Sequence, residues 1–137
     1  MYKIVVCGSM SSIEKMKNIA NQLDLMGYAT ILPNEDDWGS IPKEKISEYK
    51  GKVSMGHFSE IAKEDVCAIL VVNEMKNGID NYIGANSFAE IAIAFYFEKK
   101  IFLLHDIYDP FRDELLGWGV KSLNGEIDCI TQHMQSH

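Results

Sequence analysis

Short, nearly continuous apolar runs alternate along this chain with segments whose apolar positions recur every three or four residues. The first run, Lys3 to Cys7, ends at Gly8-Ser9, and Ile13, Met16, Ile19, Ala20, Leu23 and Met26 follow at helical spacing. That pattern predicts a strand, a tight turn and a helix. Ser11-Ser12-Ile13-Glu14 has the form of a capping box at the helix start, and Gly27 is placed to end it. Tyr28 to Leu32 predicts a second strand, closed by Pro33-Asn34. The acidic segment Asn34 to Ser40 carries Trp38 and Gly39 and reads as an exposed loop. Its tryptophan needs cover, from its own domain or as the lid of a pocket.

Pro42 to Lys63 reads as helical, with Ile46, Val53, His57 and Ile61 near one face, although Gly51 and Gly56 weaken its continuity. Asp65 to Val72 is the run expected of a central parallel strand covered on both faces, with Asp65 placed to cap or end the preceding helix. After Asn73-Glu74 and a glycine-bearing turn, a helix is predicted from Ser87 to Glu98, apolar almost all round, which suits deep burial or a subunit interface. Lys100 to Leu104 predicts a fourth strand ending at His105-Asp106, Tyr108 to Leu116 a short helix, and Glu126 to Thr131 a fifth strand. Strands alternating with helices indicate a doubly wound α/β fold with a five-stranded parallel sheet in the order 2-1-3-4-5. Residues 1–131 read as one domain and 132–137 as a polar tail, with His133 and His137 in its frayed end.

In such sheets ligands bind beyond the carboxyl ends of the strands, near the point where strand order reverses. Gly8-Ser9, Asn34, Asn73-Glu74, the turn before Glu90 and His105-Asp106 all fall on that rim. Glu90 has two readings. As a carboxylate in the first turn of its helix it sits in the positive end of the macrodipole, which favours the ionised form and use as a nucleophile or anionic stabiliser. Equally, Ser87-Phe88-Ala89-Glu90 fits a capping box. Asn86 suits either a cap or a ligand contact, and His57 either a core position or a proton donor. Tyr82 suits an anchor for the turn. Cys7-Gly8-Ser9-Met10-Ser11-Ser12 has neither dinucleotide nor P-loop spacing and no lysine, yet its amides and hydroxyls suit one phosphate or a sugar hydroxyl as well as a plain turn.

Composition narrows the partners. With 137 residues and 47% hydrophobic content the chain suits one compact domain. A net charge of −7 without a basic run disfavours nucleic-acid polymers and anionic membranes. No apolar run approaches the ~20 residues of a membrane span, and no signal-peptide pattern precedes the first strand, so a cytoplasmic location is expected. Cys7, Cys67 and Cys129 each lie in an apolar strand-like run, which suits buried thiols without disulfides, and neither they nor the histidines have metal-ligand spacing. No metal and no cofactor is expected.

Cys7-Gly8-Ser9-Met10, the run Glu64 to Val72, and the block Gly84 to Ala94 followed by Lys100 to Leu104 resemble the nucleoside 2-deoxyribosyltransferase family, which includes the 2'-deoxynucleoside 5'-phosphate N-hydrolases. A weaker likeness extends through Leu115 to Val120. The resemblance implies a flavodoxin-like sheet, action on the bond joining a sugar to its base, and a homodimer or higher homo-oligomer whose partner helps build the site. It implies that Glu90 is the nucleophile attacking the anomeric carbon, with water or a second base resolving the glycosyl-enzyme. Gly8, Ser9 and Met10 then touch the sugar or its 5'-phosphate, with Gly84, Asn86 and Ser87 facing the same end of a nucleoside or nucleotide. The chain departs from the family pattern twice: His57 stands at the assisting aspartate and Val5 at the active-site tyrosine of the first strand. His57 is accordingly the candidate proton donor to the leaving base. A non-catalytic nucleotide-binding module on the same fold is the alternative.

Overall fold

The computed structural model describes residues 2–35 and 37–135. Five parallel strands, β1 (Lys3–Gly8), β2 (Ala29–Ile31), β3 (Val66–Val72), β4 (Lys100–Leu103) and β5 (Lys121–Ser122), form one sheet in the order β2-β1-β3-β4-β5. The pairs β1–β2, β1–β3, β3–β4 and β4–β5 are all parallel. This is a flavodoxin-like α/β fold.

Helices α1 (Ile13–Leu25) and α5 (Ile130–Met134) cover one face; α2 (Ile46–Ala62), α3 (Ala85–Tyr96) and α4 (Arg112–Gly117) cover the other. The alternation of strand side chains makes both cores. Ile4 and Val6 of β1, with Ala68 and Leu70 of β3, bury against Met16, Ile19 and Leu23 of α1. Val5, Cys7, Ile69 and Val71 point the other way, against Ile61 of α2, Ile91 and Ala94 of α3 and Leu115 of α4. Strands covered on both faces have no polar side, which is why β3 reads as an unbroken apolar run. Cys7 thereby acquires its direction, toward α2 and α3.

Several local expectations are corrected. The fifth strand is Lys121–Ser122, not Glu126 to Thr131, which forms a short 3-10 turn and the start of α5. Ile127 and Ile130 both turn onto the α1 side; residues three apart share a helix face but would lie on opposite faces of a strand. His133 therefore lies in α5, half-buried, its ring 6.0 Å from that of Phe102, rather than in a frayed tail. His137 lies outside the described residues, as does Asp36 of the acidic loop. The capping box at α1 does not form: a 3-10 turn over Met10–Ser12 precedes the helix, Ser12 caps without a side-chain bond, and Glu14 lies 3.7 Å from Lys17. Asp65 does not cap α2 but pairs with Lys3 at 2.6 Å. Of the three free cysteines only Cys7 is buried; Cys67 and Cys129 are partly exposed, and Cys129 lies in the 3-10 turn before α5.

Candidate active site

Glu90 owes its position to an early helix start. Gly84, extended at φ −80° and ψ 175°, precedes Ala85 as the first helical residue, so Glu90 lies in the second turn of α3 and not the first. The Ser87-to-Glu90 capping box is not formed, and neither Asn86 nor any other side chain caps the helix. Ser87, Glu90, Ile91 and Ala94 instead make the buried face. A carboxylate one turn further in feels less of the helix dipole and more of the apolar surroundings. Glu90 is 7% exposed, and burial raises its pKa above the ordinary carboxyl value, against the lowering pull of the Cys7 thiol and of His57. The favoured ionisation expected from a first-turn position is thus reversed in direction.

His57 comes from α2, on the face shared with Val53, Ser54 and Phe58. Its Nδ1 lies 3.7 Å from Glu90 Oε2. The Cys7 thiol, which donates a long contact of 3.9 Å to the Val5 carbonyl, also neighbours this carboxylate and lowers its pKa. Burial and the adjacent Glu90 push the thiol pKa well above its ordinary value, so Cys7 stays protonated and acts as a donor. An imidazole and a thiol thus neighbour one desolvated carboxylate.

These groups line a cavity of about 360 Å³ beyond the carboxyl ends of β1 and β3. Gly8, Ser9 and Met10 from the end of β1, Gly84, Asn86 and Ser87 from the start of α3, and Glu90 and His57 all line it. Gly8 sits close to its neighbours: at φ +157°, a Cβ there would stand 3.1 Å from the Val72 carbonyl oxygen and 3.2 Å from Met16 Sδ, tighter than ordinary van der Waals contact. The first backbone bond of α3 runs from Phe88 N to Gly84 O at 2.9 Å, so the amides of Ala85, Asn86 and Ser87 precede the hydrogen-bonded ladder beside the cavity.

Other polar residues fall elsewhere. Asn73, 1% exposed, stitches the ends of β3 and β4 together: its Nδ2 donates to the Asp106 carbonyl at 2.8 Å and its Oδ1 accepts from His105 N at 2.9 Å. Glu74 pairs with His105. None of these four lines the cavity.

The cavity also holds residues that sequence inspection did not single out, among them Lys76, Lys50, Ser54 and Phe58. Lys76 Nζ donates to Ser9 Oγ at 2.9 Å and lies 5.7 Å from the centre of the Tyr82 ring. A cue for Lys76 was present. Asn77-Gly78 is the dipeptide of a two-residue hairpin turn, both residues have positive φ (51° and 77°), and Lys76 and Ile79 form an antiparallel bridge. That small hairpin aims Lys76 back across the end of β1. Trp38 is covered within its own domain, meeting Tyr49 edge-on at 5.1 Å, and it also lines the cavity.

No protein-family profile matches the chain, and no curated protein matches it in sequence. Among solved structures it is similar to BcmB of Clostridium botulinum, with a TM-score of 0.55 over 96% of this chain and 97% of that one, at 13% sequence identity. The likeness is to a CMP N-glycosidase. At this identity the similarity is one of fold. Among the described residues, no helix is long and apolar enough to cross a membrane.

Proposed function

We propose that the protein cleaves the N-glycosidic bond of a nucleoside or nucleoside 5'-monophosphate. One observation carries the reading: a buried carboxylate, Glu90, and a titratable donor, His57, taken from two different helices, meet 3.7 Å apart in a nucleotide-sized cavity. The fold similarity to a CMP N-glycosidase supports it.

In this reading a Glu90 oxygen bonds to the anomeric carbon as the carbon–nitrogen bond breaks. That bond's electron pair passes to the base, which takes a proton from protonated His57. Water then attacks the anomeric carbon, His57 recovers a proton from that water, and the Glu90 carboxylate is released. If a second base takes the place of water, the outcome is transfer. Burial favours attack because a poorly hydrated carboxylate loses little solvation on reacting, while Cys7 and His57 hold it in place. Ser9, Lys76 and the amides at the start of α3 hold the 5'-phosphate, with Ser87, itself buried, beside them. Trp38 and Phe58 flank the base. Self-association belongs to the same proposal: Phe95, Tyr96 and Phe97 are exposed at the end of the helix that bears Glu90, and sedimentation of the purified chain tests it.

The test is chromatographic detection of free base after incubation with a panel of nucleosides and nucleoside monophosphates. Glu90→Gln should abolish release from whichever substrate the parent cleaves. Full turnover by that variant would remove Glu90 as nucleophile, and tight nucleotide binding with no base released by the parent would make the protein a binding module.

A further inference from the structure

Lys50 and Lys76 both line the Glu90 cavity, and they come from opposite sides of β1. Lys76 follows β3 and is held at Ser9, whereas Lys50 belongs to α2, which follows β2. The sheet order is β2-β1-β3 and neighbouring strands lie about 4.8 Å apart, so the loops after β2 and β3 begin roughly 10 Å from each other. A nucleotide separates its phosphate from its base on that scale.

With the phosphate on the β3 side, at Ser9, Lys76 and the start of α3, and the anomeric carbon at Glu90, the base extends toward β2. Pro33, Asn34 and Trp38 complete the wall there. One face of α2 runs along this half of the cavity, through Lys50, Val53, Ser54, His57 and Phe58. Lys50 stands two turns, about 10 Å, from His57 along the helix axis. Its chain neighbour Tyr49 meets Trp38 edge-on at 5.1 Å, which pins the loop after β2 against the turn that bears Lys50. Lys50 is exposed and enters no hydrogen bond or ion pair among the described residues, whereas Lys45, at the start of α2, pairs with Glu48 at 3.7 Å.

We propose that Lys50 selects the base, through a hydrogen bond from its ammonium to an oxo group on the edge remote from the sugar, at C4 of a pyrimidine or C6 of a purine. The inference rests on a nucleoside or nucleotide lying in this cavity as proposed above, and not on its cleavage. An ammonium has three protons to give and no lone pair with which to accept. An oxo group at that position receives one of them; an amino group there meets it donor to donor. Uracil, thymine, hypoxanthine and guanine are therefore favoured over cytosine and adenine. Asn34 and Ser54 both donate and accept, so neither separates the two classes. The fold similarity to a CMP N-glycosidase, at 13% identity, does not extend to the choice of base.

The experiment compares matched pairs that differ at that position: uridine with cytidine, and inosine with adenosine, each with ribose and deoxyribose, as nucleosides and as 5'-monophosphates. Released base gives kcat/KM for the parent, and calorimetry gives Kd for Glu90→Gln, in which the ligand stays intact. The oxo member of a pair is expected to be favoured about tenfold. Lys50→Met, which keeps an unbranched stem without the charge, should bring the two members close to equal, and Lys50→Glu, an acceptor, should invert the preference. Methionine and glutamate both suit an exposed helix position, and a ratio taken within one variant is indifferent to a general loss of stability or affinity. Binding with these preferences but no base released by the parent would remove the proposed cleavage and leave the role of Lys50 standing. That role is overturned if neither pair shows the preference, if Lys50→Met leaves the ratio unchanged, or if the variant weakens monophosphates against nucleosides whatever the base, which would make Lys50 a phosphate contact. Failure of every ligand to bind at millimolar concentration overturns it together with the proposed function.

Discussion

His57 Nδ1 and Glu90 Oε2 face each other at 3.7 Å across the contact between α2 and α3, with Glu90 nearly closed to solvent and the His57 side chain 31% exposed. The asymmetry divides their roles. A buried carboxylate is held in one place, whereas a histidine with one edge in solvent exchanges protons with water and can deliver one to a departing base.

Glu90 is expected to make stability depend on pH. Its folded-state pKa is raised above the ordinary 4.5, chiefly by desolvation. The folded chain therefore keeps the proton where the unfolded chain has released it. The stabilising contribution is complete below the unfolded value and is lost as pH rises through the folded one. Glu90→Gln, neutral throughout, should exceed the parent by about 1 kcal/mol at pH 7, roughly 3 °C in Tm, and by little at pH 4. Thermal unfolding at the two pH values checks this, and an equal gap at both would contradict it.

His57→Ala should lower kcat/KM by roughly 10²- to 10⁴-fold, most strongly for bases that leave poorly. With a third of the side chain exposed, the fold should lose less than about 1 kcal/mol. Steady-state kinetics beside a melting curve distinguish the two effects. A large fall in Tm with turnover intact would place His57 in the core rather than in the chemistry.

Lys76→Ala should raise KM for a nucleoside 5'-monophosphate about tenfold or more while leaving the matching nucleoside nearly unaffected, because its ammonium reaches Ser9 where the phosphate is proposed to lie. Parallel kinetics on the two substrates measure the difference. An equal effect on both would mean that Lys76 merely holds the loop after β1.

Asn73 is expected to matter to the fold alone. Asn73→Ala removes both the donor to the Asp106 carbonyl and the acceptor for His105 N, leaving two backbone groups unpaired. The loss should be about 2 kcal/mol, roughly 7 °C in Tm, with kcat changed less than kcat changes in His57→Ala. Differential scanning calorimetry reads the first quantity and the base-release assay the second.

The sheet was legible along the chain because its evidence is local. β1, β3 and β4 are apolar runs bounded by turn residues, and the helix between β1 and β2 shows unbroken periodicity; chain order and sheet handedness leave few ways to arrange such units. Glu90, His57, Ser9 and the glycines were also identifiable as candidates, since polar residues at strand ends and helix starts stand out against apolar neighbours. What could not be read locally depended on contacts between distant segments. Ser87-to-Glu90 matches a capping box in letters, yet the interior draws both residues onto the buried face of a helix that begins at Ala85. Glu126 to Thr131 has the composition of a strand, but Ile127 and Ile130 meet the same side of the sheet. The convergence of Cys7, His57, Lys76 and Glu90 on one cavity is set by two crossovers, and no stretch of sequence contains it. Apolar periodicity specifies which face of an element is inside; packing settles which residues meet there, and so whether a carboxylate is hydrated or desolvated.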